Sequence, residues 1–209
     1  MFLVNMHTEI LSAQQKELLP YITRFQRSFY LVGGTAIALH IGHRRSIDFD
    51  LFTLSDLQKS KIRRVLLEIP FQQKPIFEDY DQLHLFINDV KFTFFSFPYK
   101  VEHPVKLDSC ITMPDLLSLA AMKAFALGRP SKWKDYVDLF FIIRDYYSIE
   151  QISEQARIIF PQQFSEKLFR EQLAFHKDID YTEAVDYLVE PVDEKVIKKF
   201  LLDKAIDVL

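Results

Sequence analysis

Apolar positions recur along the chain with different spacings, and each spacing predicts a different element. Between residues 8 and 27, Ile10, Leu11, Leu18, Leu19, Ile22 and Phe25 form an imperfect helical stripe interrupted by Pro20. FYLVGG, 29–34, is a short apolar run that ends in glycines, the mark of a strand closing in a turn. TAIALHIGH, 35–43, is apolar enough for a short buried helix, with Gly42 as its stop. SIDFDLF, 46–52, alternates and is rich in Ile and Phe, so it reads as a strand with Ile47, Phe49 and Leu51 turned to the core. SDLQ, 55–58, has the S-x-x-Q form of a capping box and predicts a helix running toward Glu68, before Pro70. FQQKPIF, QLHLFI and VKFTFFSF follow as strands, the last two joined at Asn88-Asp89 by a hairpin turn.

From Thr112 onward the signals are almost all helical. MPDLLSLAAMKAFALG carries an early Pro114 and stops at Gly128, with Met113, Leu116, Leu117, Leu119 and Ala120 as its buried stripe. After the loop RPSK comes the amphipathic WKDYVDLFFIIRDY, then weaker helical stretches to Leu209. The pattern is an α+β part over 1–110 with a mixed sheet and flanking helices, then a helical part over 111–209.

Composition narrows the setting. With 209 residues and 20 Phe, the chain can build a large core without staples. The single Cys110 excludes an internal disulfide, and together with the lack of a secretory leader pattern it points to the reducing cytoplasm. No apolar run reaches the roughly 20 residues of a membrane span. A net charge of −3 gives no global pull toward nucleic acid, so any polyanion would need a local basic patch. The run KSKIRR, 59–64, is the candidate for such a patch, and a solvated helix face is its ordinary reading.

Candidate chemistry concentrates in GGTAIALHIGHRRSIDFDLF, 33–52, which holds two of the chain's four glycines side by side. Residues i and i+2 of a strand share a face about 6.5–7 Å apart, so Asp48 and Asp50 point together. Two such carboxylates repel unless a cation lies between them, and hard oxygen donors of this kind suit Mg²⁺. The competing reading is that Arg44 and Arg45 neutralise them with no metal. A Gly-Gly turn between strand and helix lets backbone approach a ligand, and the following helix N-terminus favours an anion. The parts describe a site for a metal-bound nucleoside triphosphate. No G-x-x-x-x-G-K-[ST] or G-x-G-x-x-G is present, which excludes P-loop and dinucleotide sites. His40 and His43 flank Gly42 without the spacing of a zinc site.

GGTAIALHIGHRRSIDFDLF resembles the first motif of the polymerase-beta-like nucleotidyltransferases, and most closely that of the AbiEii/AbiGii toxin family, with G-G-T-A-L-A followed by R-x-S/T-x-D-x-D. MKAFALGRPSKWKDYVDLFFI is similar to the family's second landmark, a helical Lys followed by K/R-D-[FY]-x-D-L. The resemblance spans 30–52 and 113–143. It implies a polymerase-beta-like mixed sheet whose active site the helical part completes. It also implies transfer of a nucleoside monophosphate from an NTP to an acceptor, RNA such as tRNA among them. A toxin of a toxin–antitoxin or abortive-infection system would have a cognate antitoxin protein as partner. By that resemblance Gly33, Gly34 and Thr35 cradle the triphosphate, Arg45 and Ser46 border it, and Asp48 and Asp50 hold Mg²⁺. Lys123 neutralises phosphate charge as pyrophosphate leaves, and Asp135 rather than Asp138 faces the site.

One position departs from the superfamily. A third carboxylate on a neighbouring strand often serves as base or second metal ligand, and Thr93 stands there. This leaves open a one-metal mechanism, a base supplied by Asp135, or a nucleotide- or partner-binding module of the same fold with little turnover. Transfer to a small molecule of the antibiotic type is a further alternative.

Overall fold

The computed structural model describes residues 6–207. Within them the chain divides into two compact units, the first ending at Asp115 and the second starting at Leu116.

The first unit is built on a five-stranded mixed sheet. Its strands are β1 (Tyr30–Val32), β2 (Phe49–Thr53), β3 (Gln73–Asp79), β4 (Gln82–Ile87) and β5 (Val90–Ser96), in the order β1-β2-β5-β4-β3. Only β2 and β5 run parallel. Helix α1 (Ala13–Ile22) opens with a capping box in which Ser12 and Gln15 exchange bonds. It continues through Pro20 into a 3-10 turn at Thr23–Phe25, so the proline is absorbed near the end of the helix instead of breaking it. Helix α2 (Gly33–Ile41) follows β1 directly and ends at Gly42, whose φ of 65° is the left-handed cap the sequence predicts. Asn88 and Asp89, at φ 51° and 62°, make the expected hairpin turn between β4 and β5.

One face of the sheet is the core. Leu31, Phe49, Leu51, Leu85, Phe92 and Phe94 are at most 3% exposed. Phe94 packs against Phe25 and Phe29 with ring centroids 5.0 and 5.3 Å away, and Phe49 against Phe92 at 5.4 Å. The phenylalanines at 92 and 94 are therefore interior, the ordinary fate of an alternating strand. The opposite face is half-open, and across it Val32, Asp50, Thr93 and His84 stand in register.

Three local expectations fail, each for a physical reason. The strand at SIDFDLF begins only at Phe49, because β1 ends at Val32, which already pairs with Asp50 and leaves 46–48 no partner. Ile47, placed in the core by alternation, is half exposed in that unpaired stretch. The capping box at Ser55 does not form. The Ser55 amide donates to Thr53 Oγ1 and its carbonyl accepts from Ser96 Oγ, which ties 55 to the end of the sheet. Helix α3 (Lys59–Leu66) therefore starts three residues later, with Gln58 before it and no side-chain cap. A short antiparallel pair, β6 (Val105–Leu107) and β7 (Ile111–Met113), goes unpredicted, three residues per strand being too few to show a period.

The second unit is helical. Helices α4 (Leu116–Ala126) and α5 (Trp133–Asp145) match the two long predicted segments, and Gly128 lies at φ 84° just past the first. The weaker stretches resolve into α6 (Ile149–Ile159), α7 (Glu166–Ala174) and α8 (Glu194–Ile206), with residues 208–209 outside the described part. Phe125 stacks on Phe160 at 4.0 Å, and Phe140 meets Phe200 edge-on at 5.1 Å. None of the described helices is long and apolar enough to cross a membrane.

Candidate active site

The glycine pair sits at the head of α2, not in a turn before it. Gly33 has φ 73°, and a Cβ built on it would lie 2.1 Å from Asp50 Oδ2. A Cβ on Gly34 would lie 2.7 Å from an Arg44 guanidinium nitrogen and 3.1 Å from Ser46 Oγ. The two glycines are thus the space into which Asp50, Arg44 and Ser46 fit. Val32, the residue before the helix, has no side-chain oxygen with which to cap it, so the first helical N–H groups are not satisfied in the usual way. The head of α2 carries the positive end of the helix dipole and Arg44 beside it, a setting that favours an anion.

Thr35 occupies the first turn of α2 and is 1% exposed. Its hydroxyl is within reach of Ser46 Oγ at 3.0 Å and of the carbonyls of Ser46, at 3.3 Å, and Asp48. This threonine fastens the 46–48 loop to the helix, and through it the carboxylate of Asp48 is held at the mouth of β2. Arg44 is 2% exposed and donates to the Arg45 carbonyl at 2.9 Å, bracing the same loop from its other side. Arg45 is half-buried and donates to the Glu9 carbonyl at 3.3 Å. His40 bonds the Pro114 carbonyl at 3.0 Å, and burial lowers its pKa, so it is a neutral packing residue.

Asp48 and Asp50 are both half-buried and flank the fully buried Phe49. Among the described residues no group of three or more His, Cys, Asp or Glu side chains gathers as a metal cluster. A two-carboxylate set nevertheless suits Mg²⁺, which binds through one or two carboxylates and completes its shell with waters and substrate phosphates. Gly33, lacking a Cβ, lets the Asp50 carboxylate lie against the head of α2, so a cation held by it would sit next to an anion at that helix end. Thr93 pairs directly with Asp50 across β2 and β5, the strand position the sequence assigns it. Next in the row stands His84, whose pKa burial lowers, with the Lys91 ammonium acting in the same direction.

The remaining predicted residues lie in the second unit and form their own cluster. Lys123 on α4 is 10% exposed by side chain and bonds Asp135 of α5, with Asp138 Oδ2 3.0 Å from its ammonium. Lys132 and Lys134, the other candidates for Asp135, instead hold Glu183 at 2.7 and 3.2 Å. The lysine is thus not a surface chain lying along an apolar stripe. Asp138 is fully buried while Asp135 keeps 26% exposure, so of the two only Asp135 has access to solvent.

Sequence reasoning underrated Thr35 and Arg44. It assigned the first to the ligand and weighed the second only as a partner for the aspartates. A threonine two residues into an apolar helix was one available signal, while Arg44, within the polar run His43-Arg44-Arg45-Ser46, gave none.

Comparisons with known proteins give a family from one match and a shared fold from others. Residues 22–204 match the family model described as the nucleotidyl transferase AbiEii toxin of type IV toxin–antitoxin systems. An uncharacterised protein of Aquifex aeolicus (strain VF5) is 32% identical over 142 residues, covering 65% of this chain and 68% of its own. MenT4, a nucleotidyltransferase toxin of Mycobacterium tuberculosis H37Rv, shares the fold with a TM-score of 0.61 at 13% identity, over 92% of this chain and 80% of that one. JHP933 of Helicobacter pylori shares it with a TM-score of 0.54 at 15% identity, over 93% and 91%.

Proposed function

The chain belongs to the AbiEii family of nucleotidyl transferase toxins, and from that premise we propose that it moves a nucleoside monophosphate from an NTP to an RNA acceptor in a Mg²⁺-dependent reaction. The observation that carries this reading is the Asp50 carboxylate seated against Gly33 at the head of α2, a helix whose N-cap residue Val32 offers no side-chain oxygen. It puts an acidic group and an anion site side by side.

In the proposed reaction an acceptor hydroxyl attacks the α-phosphorus in line. The new P–O bond forms as the bond to the β-phosphate oxygen breaks and pyrophosphate leaves. Asp48 and Asp50 would hold the metal, which when bound neutralises charge on the triphosphate. Gly33 and Gly34 let the backbone come close to the phosphates, and the N–H groups at the head of α2 face them. Arg45 and Ser46 border the same anion. Thr35 and Arg44 fix the 44–48 loop, so that Asp48 is placed before substrate arrives rather than by it. Lys123, with Asp135 as its exposed partner, stabilises the leaving pyrophosphate. A threonine does not take up a proton at neutral pH, so Thr93 cannot replace the missing third carboxylate as base. Asp135 is the candidate for that role. As a toxin of this kind the protein would be held in check by a separately encoded antitoxin in the cytoplasm.

Incubation of the purified chain with labelled NTPs and total RNA should transfer label in the presence of Mg²⁺, and Asp48→Ala should abolish it. Equal labelling by the variant would remove the assignment. Thr93 opposite Asp50 favours a second reading, a nucleotide-binding module with little turnover. That reading requires NTP binding in calorimetry with no transfer to RNA or to small acceptors.

A further inference from the structure

A large cavity of the first unit lies away from the glycines, at the other end of β1 and β2. It is a cleft of about 730 Å³ whose rim carries Arg24, Arg27, Lys61, Arg64 and Lys100. Arg24 is paired with Glu68, and Lys100 with Glu102 at 2.8 Å. Arg27, Lys61 and Arg64 have no ion pair among the described residues, and Asp56 is the one remaining carboxylate on the rim. In a chain of net charge −3 this is a local reversal of sign.

Helix α3 sorts its charges by face. Ile62 and Leu66 are buried, Lys59 and Arg63 are spent on Glu78 at 3.4 and 2.6 Å, and Lys61 and Arg64, three residues apart, reach the cleft. An ordinary solvated basic helix would have no reason to divide so. The floor is apolar, from Phe25, Phe29, Ile62 and Val101. On one wall the exposed His103 ring lies flat on Tyr30, centroids 4.6 Å apart and planes within 7°, and is fixed by Thr112 Oγ1 at 3.0 Å. The Tyr30 hydroxyl has no hydrogen-bond partner, and burial pushes its pKa up to about 12, so it remains a neutral donor.

We propose that this cleft holds the phosphodiester backbone of a single-stranded RNA, with unpaired cations on the phosphates and the fixed His103 face available to a base. Unpaired cations supplied from two separate segments, Arg27 before β1 and Lys61 with Arg64 on α3, suit a chain of spaced charges better than one compact anion. The ladder between β1 and β2 links the two places. Tyr30 lines the cleft and pairs with Phe52, which shares the face of Asp50 two residues away, about 7 Å along the strand. A strand seated in the cleft could therefore present a hydroxyl near Asp50. This inference rests on the nucleotidyl transfer reading only for that direction, not for the binding itself.

The test is fluorescence anisotropy of the full chain with a short labelled single-stranded RNA across a salt series. Arg27, Lys61 and Arg64 are all exposed, so reversing them to Glu together should leave the melting temperature unchanged. The triple variant should bind at least about tenfold more weakly, and its salt slope should fall by about 2, at roughly 0.7 for each phosphate no longer neutralised. Lys59→Glu with Arg63→Glu, on the Glu78 side of α3, should bind as the parent does. Undiminished RNA binding by the triple variant would overturn the proposal. So would no salt-dependent binding by the parent, even if it transfers label to a small acceptor, which would leave the transferase reading standing. Loss of poly-glutamate binding with RNA binding intact would assign the cleft to an acidic protein segment and equally overturn it. Cleft-dependent RNA binding by a chain that transfers nothing would sustain the cleft and remove the transferase reading.

Discussion

Two glycines of the first unit, one at each end of α2, both have a positive φ and differ in what stands beside them. Gly33 (φ 73°) faces the Asp50 carboxylate, and Gly42 (φ 65°) faces the His7 ring, 2.6 Å from where a Cβ would sit. An L-residue in this region costs about 1–2 kcal/mol in either place, so Gly33→Ala and Gly42→Ala should lower the melting temperature by similar amounts. Only Gly33→Ala should displace Asp50, and a misplacement of that kind costs about a hundredfold in rate. Melting curves beside label transfer by both variants check this, and an equal loss of activity would mean that Gly33 is merely structural. The pair was legible as unusual because a chain with four glycines rarely puts two together. The bracing by Thr35 and Arg44 was not, because it depends on a loop eleven residues from the threonine folding back onto it.

At the scale of elements, Asp135 and Asp138 lie three residues apart on α5 and share Lys123, but not the same burial. Asp138 is fully buried beside the nearly buried Lys123, so Asp138→Ala leaves an interior gap and one carboxylate fewer on that ammonium and should cost about 3 kcal/mol. Asp135, partly solvated, should cost about 1 kcal/mol or less on truncation. Urea midpoints for the two variants decide the matter, and equal destabilisation would mean that solvent does not distinguish them. Other elements show where local pattern suffices. S-x-x-Q gives true capping boxes at Ser12 and Ser148, where nothing else competes for the serine, and fails at Ser55, where the sheet end holds it first. Asn88-Asp89 was legible because a turn's chemistry is confined to its own two residues. Ile47 was misread because alternation presumes a partner strand, and β1 is too short to supply it.

At the scale of the whole molecule, the two units need not melt together, and a ligand stabilises only what it binds. If Asp48 and Asp50 hold a cation under an NTP, the nucleotide and Mg²⁺ together should stabilise the first unit, and neither alone should do so as well. At about a hundred times the dissociation constant the gain is about 2.7 kcal/mol. For a chain of this length that is roughly 5–10 °C in the transition that carries the site. Scanning calorimetry with NTP and Mg²⁺, then with excess chelator, should show the shift appear and vanish. Asp50→Asn, which keeps the shape beside Gly33 but loses the charge, should remove it. A shift that survives both the chelator and Asp50→Asn would place the nucleotide on the backbone of α2 alone, and the two aspartates would then have no cation to share.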